Sequence, residues 1–71
     1  MKNEEVPASA RASKRFWAFW KMVKKLTPNE IEFLISKRMN ELKYEKDYKE
    51  IRNLKTEICI LEDAYEIMNK R

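Results

Sequence analysis

Hydrophobic positions recur at helical spacing in three segments of the chain. They predict helices at about residues 13–26, 28–44 and 48–69. A capping box, TPNE at residues 27–30, marks the start of the second helix, and DYKE at residues 47–50 repeats its logic before the third. Glycine is absent and both prolines lie early in the chain, so little interrupts these helices. The sequence therefore predicts an all-α fold of three helices.

The second and third helices are expected to pack together as an antiparallel helical hairpin. Only a few residues separate them, and short connections make antiparallel neighbours. The apolar positions of the third helix alternate in steps of three and four, as along a coiled-coil seam. The predicted seam consists of Ile31, Leu34, Ile35, Met39 and Leu42 on the second helix, and Ile51, Leu54, Ile58, Leu61, Tyr65 and Met68 on the third.

The first helix, SKRFWAFWKMVKKL, is basic and amphipathic. Its apolar arc supplies Phe16, Phe19, Trp20 and Val23 to the predicted core. Lysines occupy the opposite side, and no acidic residue interrupts residues 13–26. Two interpretations remain open. The helix docks on its own hairpin or on that of a second copy, or it binds an external target.

A second apolar patch on the third helix favours docking. Ile60, Ala64 and Ile67 lie away from the main seam, at the end of the hairpin nearest the first helix. This end is acidic, with no cation from residue 56 to residue 69. A basic helix alongside would offset the unfavourable interaction between these acids and the helix dipole. The two interpretations are compatible if the apolar arc packs inward and the lysines face out.

Candidate partner-binding residues share a position away from the predicted core. They are Arg15, Trp17, Lys21, Lys24 and Lys25 on the first helix, and Phe33 and Tyr44 on the back of the second. Aromatic residues and arginine are favoured anchors in protein interfaces. Aromatics among cations also suit single-stranded nucleic acid, where bases stack on rings and lysines follow phosphates.

Composition argues against catalysis. The 71 residues contain one cysteine, Cys59, and no histidine, so neither an internal disulfide nor a usual zinc site can form. No glycine-rich phosphate loop or nucleophile motif is present. We therefore expect no enzyme activity, metal, cofactor or small-molecule substrate. The unpaired cysteine and the absence of a secretory signal or membrane-spanning run indicate a reducing, cytoplasmic location.

Charge is distributed unevenly along the chain. Of the net charge of +4, residues 1–26 carry +5 and residues 27–71 carry −1. We expect a flexible tail at residues 1–12 followed by one domain at residues 13–71. The small core predicts stabilisation by self-association. The expected function is a protein-interaction module or regulator that binds a larger protein, itself, or both. A nucleic-acid-binding accessory protein is the alternative, and a peripheral membrane binder is a third.

Overall fold

The computed structural model describes residues 8–11 and 13–69, and every regular element in these ranges is helical. A short 3-10 helix, Ala8–Arg11, precedes three α-helices: α1 (Lys14–Val23), α2 (Pro28–Tyr44) and α3 (Tyr48–Asn69). The all-α prediction is confirmed, and α2 and α3 have the predicted bounds. The first helix ends earlier than predicted, at Val23.

Local capping explains where the helices begin. The Ser13 hydroxyl accepts a hydrogen bond from the backbone N–H of Phe16 at 3.3 Å. At the start of α2, Thr27 and Glu30 form the predicted capping box, in which each side chain accepts the other residue's backbone N–H. At the start of α3, the Asp47 carboxylate accepts from the backbone N–H of Lys49 at 2.9 Å. Each acceptor satisfies an N–H that has no partner within its helix.

Helices α2 and α3 pack side by side in opposite directions. Arg38 pairs with Glu57 near the middle of the hairpin, and Tyr65 pairs with Glu32 nearer its open end. Residues early in α2 thus lie beside residues late in α3. Helix α1 lies against the C-terminal half of α3, over Ile60 and the residues around it.

The core lies where the three helices meet. Its buried members are Ala10, Trp20, Val23, Ile31, Ile60, Leu61 and Ala64. Partly buried side chains surround them: Phe16, Phe19, Leu26, Leu34, Ile35, Tyr65, Ile67 and Met68. Leu54 and Ile58, each 8% exposed, extend the buried seam along α3. Leu42 and Ile51, nearer the loop, are half-buried because only two helices pack there.

Met39 is a correction to the predicted seam, because its side chain is 48% exposed. With about 100° between successive residues, Met39 lies roughly 80° from Ile31 around the axis of α2, at the edge of the buried stripe. Arg38 lies within about 20° of Ile31 and takes the inward position instead. Its side chain is only 21% exposed.

The N-terminal boundary also differs from the prediction. Residues 1–12 were expected to be a flexible tail, but Ala8–Arg11 form the 3-10 helix, which packs against both α1 and α3. Ala10 is fully buried there, because its small side chain allows the backbone to approach the core closely. The remainder of the predicted tail, residues 1–7 and 12, lies outside the described residues, as do residues 70–71.

Candidate binding surface

The apolar arc of α1 faces the hairpin. Trp20 is 5% exposed and Val23 is fully buried, while Phe16 and Phe19 are partly buried against the same core. The docking interpretation is therefore confirmed for α1 and its own hairpin. Trp17, three residues before Trp20, is 38% exposed. The two tryptophans of this short helix consequently lie in different environments.

The outer side of α1 and the turn after it form a basic surface that we call the lysine face. It consists of Lys14, Trp17, Lys21, Lys24 and Lys25, all of them exposed. The Lys21 ammonium lies 5.6 Å from the centre of the Trp17 ring, within range of a cation–π interaction. No acidic residue interrupts residues 13–26. Four of the five predicted partner-binding residues of the first helix are thus brought together here.

Arg15, the fifth, belongs to a different arrangement. Its Nη2 lies 3.7 Å from Oε2 of Glu57 on α3, and its guanidinium lies 5.8 Å from the ring centre of Phe16. The Arg15 side chain is 58% exposed, so this ion pair adds less than about 1 kcal/mol. Arg15 thus contacts α3 while most of its side chain stays exposed, and its role in partner binding remains a prediction.

Glu57 links all three helices. Its Oε1 accepts a hydrogen bond from Nε of Arg38 on α2 at 2.9 Å, while its other oxygen faces Arg15 of α1. The guanidinium carbon of Arg38 lies 5.2 Å from the ring centre of Phe19, also on α1. The Glu57 junction thus adds polar contacts between α1 and the hairpin to the packing of the buried arc of α1. The hydrophobic pattern did not predict this junction. The signal for it is the position of Arg38 on the same side of α2 as the buried Ile31.

A small apolar groove follows the lysine face along the chain. Its volume is about 370 Å³, and it is lined by Leu26, Asn29, Glu30, Phe33 and Leu34. Phe33 is 68% exposed, so a large aromatic ring stands at the edge of this groove. The Glu30 carboxylate is engaged in the capping box. Tyr44, predicted with Phe33, is 70% exposed near Lys43, about 16 Å away along α2.

A larger open groove runs between α2 and α3. It measures about 740 Å³ and is lined by Glu32, Ile35, Ser36, Glu62, Tyr65, Glu66 and Asn69. The Tyr65 hydroxyl donates to Oε2 of Glu32 at 2.9 Å. We call this surface the acidic groove. Glu62 lies roughly 160° around α3 from Ile60, which contacts α1, so the groove opens away from α1.

None of the helices in the described part of the chain is long and apolar enough to cross a membrane. Comparison of the chain with known protein families, curated proteins and solved structures gave no match.

Proposed function

We propose that this protein is a small binding module that docks an acidic segment of a larger protein on its lysine face, with Trp17 as the central anchor. The observation that carries the proposal is the contrast between the two sides of α1. The arc that contains Trp20 and Val23 is buried in the core, whereas Trp17 and its lysine neighbours lie on the outer side. The lysines are exposed, and Trp17 still exposes 38% of its surface.

A partner that covers an exposed tryptophan among cations gains binding free energy. Tryptophan is among the commonest interface hot spots, because burying its large rigid ring costs little conformational entropy. The surrounding lysines would attract an acidic partner and orient it before contact. Burial of Trp17 from its present 38% exposure would then supply the short-range part of the affinity.

The apolar groove favours a protein partner. It begins at Leu26, immediately after the lysine face, and Phe33 stands exposed at its edge. A peptide can place a leucine-like or aromatic side chain in such a groove while its carboxylates meet the lysines. We therefore include the groove in the proposed interface.

A nucleic-acid target is the second candidate. Lys14 and Lys21 flank Trp17 at helical spacing, an arrangement that also suits a stacked base between two phosphates. Salt separates the two functions. Nucleic-acid affinity should fall steeply with salt through release of counterions, whereas a peptide anchored on Trp17 and Phe33 should lose less affinity.

Affinity capture from the cell of origin, with and without nuclease, tests the proposal. The wild type is compared with Trp17→Ala, with Lys14→Gln combined with Lys21→Gln, and with a control, Lys49→Gln, near the hairpin loop. We expect an acidic protein that survives nuclease treatment, is retained by the control and is lost from the other two variants. Purified partner should then bind the Trp17→Ala variant on the order of tenfold more weakly or worse. Capture that nuclease abolishes, or that the lysine-face variants leave unchanged, would overturn the proposal.

A further inference from the structure

We infer that the acidic groove is a docking site for the lysine face of a second copy of this chain, so that copies associate head to tail. This goes beyond the proposed function, because it assigns an occupant to a different surface. It also implies competition, since the same lysine face would meet either the partner or another copy.

The two surfaces match in chemistry. Ile35 and the ring of Tyr65 give the groove an apolar component, while Glu32 and Glu62 bring negative charge to it. Among the residues that the structure describes, the lining of this groove includes no cation. The lysine face has the reverse arrangement, with an aromatic ring between cations: Lys14 lies one turn before Trp17, and Lys21 one turn after it.

The positions of the surfaces exclude docking within one molecule. Helix α1 is held against one side of α3 by Trp20, Val23 and the Glu57 junction. The acidic groove opens on the other side of the hairpin, with α3 between the two surfaces. A lysine face can therefore reach an acidic groove only on another copy. Such a contact joins two different patches, so it builds chains or closed rings.

The size of the chain adds a reason for association. A chain of this length buries only about 60% of the surface that its unfolded state exposes. In the part of the chain that the structure describes, Trp17 is 38% exposed and the acidic groove is open to solvent. Placing one against the other would bury apolar surface that the single chain leaves in water.

Paired charge reversals test this inference without knowledge of any partner. One full-length variant carries Lys14→Glu and Lys21→Glu, and therefore presents two acidic surfaces. The other carries Glu32→Lys and Glu62→Lys, and presents two basic ones. A matched control for the first variant, Lys49→Glu with Lys55→Glu, makes the same change in net charge near the hairpin loop. Circular dichroism first establishes that each variant is helical. If a double variant does not fold, the single reversals Lys21→Glu and Glu62→Lys replace the pairs.

Sedimentation velocity over the micromolar range at low salt gives the readout. We expect wild type and control to associate, and each reversed variant alone to associate on the order of tenfold more weakly or worse, because like charges would face each other. An equimolar mixture of the two reversed variants should recover association, since each acidic surface then meets a basic one. A wild type that stays monomeric, reversed variants that associate normally, or a mixture that stays monomeric would overturn the inference. Equal weakening in the control would also overturn it, by showing an effect of net charge alone.

Discussion

Removing the Glu57 carboxylate should weaken the contact between α2 and α3 more than the contact between α1 and α3. Glu57 accepts a hydrogen bond from Arg38 at 2.9 Å, whereas its nearest approach to Arg15 is 3.7 Å. The exposed fractions of the side chains rank the two pairs in the same order. Glu57 is 13% exposed and Arg38 21%, but Arg15 is 58% exposed.

These values set the expected energies. Exposed ion pairs typically contribute about 0.2–1 kcal/mol, and hydrogen bonds to charged groups about 1.5–3 kcal/mol. The Arg38–Glu57 pair is neither fully exposed nor fully buried. We therefore expect an intermediate coupling free energy of about 1–2 kcal/mol for it. For Arg15 and Glu57 we expect less than about 0.5 kcal/mol. In a chain of this size, 1 kcal/mol corresponds to about 4–8 °C in melting temperature.

Two double-mutant cycles measure these couplings. One combines Glu57→Ala with Arg38→Ala, and the other combines Glu57→Ala with Arg15→Ala. Unfolding free energies come from urea titrations followed by circular dichroism. The lost packing of Arg38 on Phe19 cancels within its cycle, which leaves the pairwise term. A coupling for Arg15 as large as that for Arg38, or no coupling in either cycle, would show that the Glu57 junction is not organised as described.

Two further changes test the core and the acidic end of α3. Trp20→Ala should cost about 3–5 kcal/mol in unfolding free energy. Trp20→Phe should cost less, because the buried Nε1 that it removes has no hydrogen-bond partner in the described structure; equal losses in chemical denaturation would contradict this. Burial first, and then the charge of Glu66, raise the pKa of Asp63 above 3.8, so ionising it opposes folding as the pH rises through that range. Asp63→Asn should therefore raise the melting temperature at pH 7 but not below pH 3.8, whereas a gain of equal size from Glu62→Gln would assign the effect to net charge instead.

Local signals in the sequence were enough for α2 and α3. The capping residues Thr27 and Asp47 mark their starts, and the apolar stripes pair them as a hairpin. The end of α1 differs from the prediction because the start of α2 constrains the chain before it. Thr27 is extended (φ −78°, ψ 159°) because it caps α2 and precedes Pro28. In the turn before it, the N–H groups of Lys25 and Leu26 donate to carbonyls three residues back, so the α-helix ends at Val23.

Other features depend on contacts that periodicity does not contain. A pattern based on hydrophobicity favours Met39 over Arg38 for the seam, although Arg38 has the better angular position on α2. The inward place of Arg38 becomes favourable only because Glu57 and Phe19 meet it there. The burial of Ala10 likewise follows from the approach of its backbone to α1 and α3, because a single alanine carries no periodic signal.

Helical spacing also predicted part of the candidate site. Helical spacing places Trp17, Lys21 and Lys24 on one side of α1, and the structure keeps them together. Spacing alone sets Arg15 apart from them, because it lies roughly 160° from Trp17 around the helix axis, on the side where Glu57 of α3 meets it. The acidic groove joins residues of two helices that are far apart in sequence, so its shape could not be read from either helix alone.

The orientation of α1 is tested most directly by iodide quenching of tryptophan fluorescence in two single-tryptophan variants of the full chain. Trp20→Phe leaves Trp17 as the emitter, and Trp17→Phe leaves Trp20. Iodide is an anion, so the neighbouring lysines should concentrate it around an outward-facing Trp17. We expect red-shifted, strongly quenched emission from Trp17, and blue-shifted, weakly quenched emission from Trp20, whose exposure is only 5%. Equal quenching of the two, or stronger quenching of Trp20, would contradict a helix α1 that turns its aromatic arc to the core and its lysines to the solvent.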